Sequence, residues 1–287
     1  MGTTSLGTVD GQIEANRPST DASESERQKA NSLLREARAI YVCIPHVGKS
    51  HLTRELLVSI PDEHRVVLVD GSYVADLDTY AALHRGTIDY VRTEEPLCLA
   101  RNWNLGAARV PLSETEWMFC ASDVQWHAAA WRRLAEALWL YPDCGIVRDS
   151  GTNWNVWVVR RWAWDLLAPM DERYKPCGGE DDDLVMKCHA SGVRIRSHWI
   201  GPTHLEGGHA TRLDIRRQES GEGSWDGRRG NIALFREKWG CTPSVGRDPA
   251  YGAAHRAVHV TEKRTAPPAE YEIPSRRGAY PPQEVVA

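Results

Sequence analysis

The amino-acid sequence predicts an α/β domain: a largely parallel sheet with helices on both faces, set between two tails. Three observations predict it. Short apolar runs alternate with helical patterns from about residue 39 to about residue 200. Two of those runs lead straight into an aspartate, Asp70 and Asp123. The two ends of the chain lack any such alternation. Strand–helix alternation brings strands side by side in parallel with helices covering them. Ligands of such sheets bind beyond the carboxyl ends of the strands, which is where both aspartates fall.

Taken in order, residues 1–25 are rich in Ser, Thr, Gly, Asp and Glu and read as a disordered, flexible tail. A helix is expected from Glu26 to Arg38, with Leu33, Leu34 and Ala37 on one side. Ala39–Ile44, ending in Pro45, reads as a buried strand. Arg65–Asp70 (RVVLVD), Asp89–Arg92, Glu116–Ala121 (EWMFCA), Trp154–Arg160 (WNVWVVR) and Val193–Ile200 (VRIRSHWI) supply further strands. Helical patterns fill Lys49–Ser59, Leu99–Ala108, Ala128–Leu140, Arg161–Leu167 and Asp181–Ala190. From Thr242 to Ala287 the chain turns rich in Pro, Gly, Arg and Ala and reads as an extended tail. The expected division is therefore 1–25, 26–241 and 242–287.

Composition narrows the function classes. A formal net charge of -4 gives no general attraction to nucleic acid or anionic membrane. The clusters at Arg212, Arg216 and Arg217 and at Arg228 and Arg229 then read as solvated faces or a local patch. The 7 cysteines are an odd number without a C-x-x-C pair, which argues against a disulfide framework or a structural zinc and for a reducing compartment. The chain begins without an apolar signal core, and no apolar run is long enough to span a bilayer. A soluble, cytoplasmic protein is expected.

Four constellations can carry chemistry. In Ala121-Ser122-Asp123-Val124 an acid follows a strand, where a carboxylate holds a hard divalent cation or, alternatively, caps the helix beginning near Ala128. Gly178-Gly179-Glu180-Asp181-Asp182-Asp183-Leu184 sets an acidic run behind two glycines. Such acids either suit the positive end of a helix or raise one another's pKa around a site, where one serves as general base. Thr203-His204-Leu205-Glu206-Gly207-Gly208-His209 follows the last strand and places a histidine as a metal ligand or a surface residue. Val47-Gly48-Lys49-Ser50 matches the end of a phosphate-binding loop, but Cys43 stands where that loop needs glycine.

Together and in this order, these pieces resemble the GT-A glycosyltransferases, especially the inverting family 2 enzymes. The stretch GGEDDDLVMKCHASGVRI (178–195) is also similar to β-1,4-galactosyltransferases, and NIALFREKWG (231–240) resembles the close of many family 2 catalytic domains. The resemblance spans about Ile40 to Gly240. It implies a Rossmann-like, mixed, mostly parallel sheet and a nucleoside-diphosphate sugar donor, UDP-linked by analogy. It further implies that Pro45, Asp70, Arg101, Asn102 and Ser122 border the nucleotide. Asp123 matches the last acid of the family's metal motif, whose first acid is replaced by Ala121. His204 matches the late metal-binding histidine, with His209 as substitute. Asp181 matches the catalytic base and Glu180 the acid beside it that holds the acceptor. A divalent cation, Mn²⁺ or Mg²⁺, is the implied cofactor.

The resemblance leaves the acceptor open among glycan, protein, small molecule and modified nucleic-acid base. Trp154 and Trp225 are candidate stacking platforms, Trp157 a core residue, and Leu205–Gly230 a candidate lid. Rival readings are a phosphotransferase or nucleotidyltransferase, and a degenerate GT-A domain that binds glycans without turnover.

Overall fold

The computed structural model describes residues 39–72, 88–93, 98–175, 177–205, 226–244 and 246–259. The predicted N-terminal tail, the helix at 26–38, Trp225, His209 and residues 206–225 of the predicted lid lie outside them, while residues 226–230 of that lid are helical. The strands are β1 (Tyr41–His46), β2 (Arg65–Asp70), β3 (Ile88–Arg92), β4 (Glu116–Cys120), β5 (Val124–Gln125), β6 (Ile146–Asp149), β7 (Val156–Arg160), β8 (Ile195–His198) and β9 (Thr203–His204). The helices are α1 (Ser50–Ser59), α2 (Leu99–Arg109), α3 (Ala128–Leu140), α4 (Arg161–Leu167), α5 (Glu180–Ser191), α6 (Asp226–Trp239) and α7 (Pro249–Val258).

Seven strands form one sheet in the order β3-β2-β1-β4-β7-β6-β8. All pair in parallel except β7, which runs against both β4 and β6. The reversal has a local cause. Only residues 150–155 link β6 to β7, too short a connection for a parallel crossover. The mixed, mostly parallel sheet flanked by helices that the sequence predicts is thus present.

Side chains on the central strands alternate between two cores, one per face. Cys43, Val67, Val69, Trp117, Phe119, Trp157 and Val159 point to one core, where they meet residues of α2, α4, α5, α6 and α7. Val42, Ile44, Val66, Leu68, Met118 and Val158 point to the other, against Leu56 and Leu57 of α1 and Ala130 and Leu134 of α3. Burial on both faces explains why these strands read as unbroken apolar runs. Aromatic residues fill the first core. Phe119 and Trp157 have ring centroids 4.3 Å apart, and Trp103 meets Trp157 edge-on at 5.2 Å. Trp157 is therefore a core residue, as read from the sequence. Trp154 is half-buried, with the Arg148 guanidinium 4.9 Å above its ring.

Three parts differ from the sequence reading. β1 runs two residues beyond Ile44, through Pro45. It stays paired to β2 through His46 but to β4 only through Cys43. A residue without an N–H is tolerated where one strand edge is open. β6 was not predicted, because the short run Ile146–Asp149 carries a charge in its centre and gains its strand partners only from β7 and β8. Within the stretch read as extended, Pro249–Val258 is a helix. Its N-cap is Asp248, which accepts from the N–H groups of Ala250 (3.0 Å) and Tyr251 (3.3 Å), and Pro249 opens the first turn. Tyr251, Ala254 and Val258 enter the aromatic core.

Trp157→Ala removes the centre of that core. It is expected to lower unfolding free energy by about 3–5 kcal/mol, read from the urea midpoint at unchanged slope. A loss below about 1 kcal/mol would show that the cluster is not the main core.

Candidate active site

The carboxyl ends of β1 and β2 form one side of the site. Asp70 ends β2 fully buried, and its carboxylate is engaged by protein donors. Ser72 N–H donates to Oδ1 at 2.9 Å, and Tyr90 Oη and Arg92 Nη1 donate to Oδ2 at 2.7 Å each. Arg92 Nη2 also bonds the Ser72 carbonyl at 2.8 Å. Asp70 thereby shapes the turn at Gly71 and Ser72.

Asn102, on α2, lies against that turn. A Cβ on Gly71 would stand 2.7 Å from Asn102 Nδ2, so only glycine admits the amide. Neither polar atom of the Asn102 amide has a hydrogen-bond partner, although both are buried. Such atoms lower stability when nothing satisfies them. Arg101 is half-exposed beside it, and Pro45 is buried at the end of β1.

The chain from β1 into α1 answers the phosphate-loop reading. β1 continues through His46, where the loop's turn would have to begin. Gly48 and Lys49 then make a tight left-handed link (φ 60° and 47°) straight into α1, and Gly48 N–H donates to Ser72 Oγ at 2.9 Å. Residues 43–48 are strand and link, not a phosphate cradle.

The second side follows β4 and β8. Here β5 and β9 pair antiparallel, Val124 opposite His204, and Leu205 N–H donates to the Asp123 carbonyl at 2.8 Å. This two-residue ribbon places His204 Nε2 3.2 Å from Asp123 Oδ1. Asn155 Nδ2, just before β7, lies 3.4 Å from the same His204 nitrogen. Asp123 and the adjacent Ser122 are buried, and His204 is half-buried. Asp123 does not cap α3. The cap is His127, whose Nδ1 accepts from Ala130 N–H at 3.2 Å and whose Nε2 lies 2.9 Å from the Gly201 carbonyl.

The Asp123–His204 separation fits a divalent ion. Two neighbouring ligands of an octahedral ion, each at about 2.1 Å, stand about 3.0 Å apart. Among the described residues no group of three or more His, Cys, Asp or Glu side chains forms a metal cage. An ion here would complete its shell with substrate or water oxygens.

Asp149, which the sequence reading did not single out, holds this ribbon in place. Fully buried at the end of β6, it accepts from Ile200 N–H (2.7 Å) and Gly201 N–H (2.9 Å) through Oδ1 and from Thr152 N–H through Oδ2. It thus ties the approach to His204 to the link that ends at Asn155.

The acidic run opens α5. Gly178 and Gly179 have φ of 97° and 105°, which L side chains rarely adopt. Asn231 of α6 fixes the turn through a 2.7 Å bond from Nδ2 to the Gly178 carbonyl. The four acids then diverge. Asp183 is buried and accepts from Trp239 Nε1 (2.7 Å), Lys238 Nζ (2.9 Å) and Tyr174 Oη (3.4 Å), so it anchors α5 to α6. Asp182 accepts from Tyr251 Oη at 2.5 Å. Glu180 is buried and accepts from Gly178 N–H. Burial, and then the charges of Asp181 and Asp182, push its carboxyl up to about 8. Asp181 is half-exposed, and its Oδ1 accepts from Asp182 N–H at 3.0 Å. α5 leads back into β8, so its first turn lies at the same sheet edge as Asp123 and His204.

No known family's profile and no curated protein matches the sequence. Solved structures do match. Glucosyl-3-phosphoglycerate synthase from Mycobacterium tuberculosis, in complex with Mn²⁺, UDP and phosphoglyceric acid, is 16% identical with a TM-score of 0.45, over 72% of this chain and 84% of that one. TarS 1-349 of S. aureus is 13% identical with a TM-score of 0.44, over 69% and 70%. Mannosyl-3-phosphoglycerate synthase from Rubrobacter xylanophilus is 7% identical with a TM-score of 0.44, over 68% and 79%. These neighbours are GT-A-like glycosyltransferases. No helix among the described residues is long and apolar enough to cross a membrane.

The Glu180 carboxyl gives a pH-dependent stability. Its folded value, about 8, lies above its ordinary 4.5. The folded state therefore binds the proton more tightly, and this contribution is full below about 4.5 and lost as pH rises through about 8. Glu180→Gln is expected to flatten the stability-against-pH curve between those limits, measured by urea unfolding at a series of pH values. Parallel curves for the two proteins would refute a buried, neutral Glu180.

Proposed function

We propose that this chain is a metal-dependent, inverting glycosyltransferase that moves a sugar from a nucleoside-diphosphate sugar to an acceptor hydroxyl. The observation that carries the proposal is the Asp123–His204 pair at 3.2 Å, held at the sheet edge where the acidic turn of α5 also opens. The choice of a UDP-linked donor rests on the motif resemblance.

Asp123 and His204 would hold the divalent ion, which would supply positive charge to offset that of the departing diphosphate. The β5–β9 pairing orients the imidazole, and Asn155 Nδ2 lies beside its Nε2. Asn102, with its unpartnered amide, and Arg101 border the nucleotide with Pro45 and Ser122. Asp70 acts at one remove, by shaping the turn against which Asn102 packs. On the acceptor side, Asp181 takes the hydroxyl proton as the oxygen attacks the anomeric carbon from the face opposite the phosphate. The bond to the diphosphate breaks as the new glycosidic bond forms, and one displacement inverts the carbon. Glu180, neutral at pH 7, adds no second negative charge beside the base.

The first test is a thermal-shift screen of nucleoside-diphosphate sugars with and without Mn²⁺. A donor at a hundred times its Kd should add about 2.7 kcal/mol of apparent stability, and Asp123→Ala or His204→Ala should abolish the Mn²⁺-dependent part. Asp181→Asn is expected to cut transfer by at least about a hundredfold while leaving that stabilisation intact. Unchanged transfer in Asp181→Asn removes the base assignment. Donor binding without any release of nucleoside diphosphate would favour a glycan-binding module, in line with Ala121 standing where the motif's first acid belongs.

A further inference from the structure

Consecutive carboxylates repel one another, and the structure treats each acid of the run differently. Asp183 is taken up by Lys238 and Trp239 from α6. Asp182 is taken up by Tyr251, which α7 carries across α5. Tyr251 is itself buried, edge-on to Phe235 at 5.8 Å. Burial and the neighbouring Asp182 raise its phenol, so it stays a donor. Arg148 of β6 donates to Ser197 Oγ at 2.9 Å and lies over the face of Trp154. Among the described residues, the Asp181 carboxylate accepts only from a backbone N–H.

We propose that Tyr251 is a positioning residue for Asp181: its phenol holds Asp182, whose N–H in turn holds Asp181 Oδ1, leaving the rest of the Asp181 carboxylate for the acceptor proton. The inference deepens the glycosyltransferase reading and rests on it for the role of Asp181.

Tyr251→Phe deletes one hydroxyl and keeps the ring. The turn that carries Asp181 then loses its tie to α7 through Asp182. Transfer kcat should fall about tenfold with donor KM within about twofold. Hydrogen exchange of the Asp182 amide, whose N–H holds Asp181 Oδ1, should quicken. In an Asp182→Ala background, Tyr251→Phe should add nothing to either effect, because no side-chain acceptor for the phenol remains there. If Tyr251→Phe does not fold, Asp182→Ala alone still reads the tie. Unchanged kcat and exchange, or equal effects of Tyr251→Phe with and without Asp182→Ala, overturn the inference. If wild-type protein transfers no sugar but exchange at the Asp182 amide quickens as stated, the positioning geometry stands and the transfer reading fails.

Discussion

The first turn of α5 concentrates more negative charge than a helix end can stabilise alone. A helix dipole contributes roughly 0.3–1 kcal/mol per favourable charge near its N-terminus, and here four acids stand in a row. The surrounding architecture follows from dividing that charge. α6 is held against α5 by Asp183, which receives Lys238 and Trp239. α7 is held by Asp182, which receives Tyr251. Burial raises the Glu180 carboxyl above its ordinary range. Two helices after the last sheet strand are thus fastened to the same turn, and their apolar residues Phe235, Tyr251 and Ala254 join the core that covers the sheet.

The opposite wall of the site depends on a buried carboxylate of another kind. Among the described residues, Asp149 is satisfied by backbone N–H groups of Thr152, Ile200 and Gly201. Backbone donors are fixed by the chain path, so a single side chain sets the course of two loops at once. One loop delivers His204 to Asp123, and the other delivers Asn155 to His204. The short β5–β9 ribbon would be marginal alone, and Asp149 together with the His127–Gly201 contact fastens its approach.

Much of this was legible in the sequence wherever local pattern and final structure agree. Arg65–Asp70, Ala128–Leu140 and Arg161–Leu167 form as read, because their apolar spacing matches the surfaces they bury. Asp123 and His204 were named as a pair from motif order, and the structure places them in contact. What was not legible depends on distant partners. Ile146–Asp149 becomes a strand through β7 and β8, and β5 exists only through β9. Tyr251 and Asp182 lie 69 residues apart in the chain, and Tyr251 sits in a Pro- and Gly-rich stretch whose composition masked its helix. One local signal was available there: Asp248-Pro249 is a helix-opening pair. His127, which caps α3, carries no such signal, since histidine is not a usual cap.

The reversed direction of β7 has a structural corollary. The other strands of the main sheet give the edge that bears Asp70 and Asp123 only their exits, whereas β7 gives it an entrance. The hairpin of residues 150–155 therefore never leaves that edge, and Ala121 N–H reaches back to the Asn155 carbonyl at 2.7 Å to lock it to the segment bearing Asp123. Trp154 of the hairpin also packs against the aromatic core, so a change in this short link would be felt in that hydrophobic layer as well as beside Asp123.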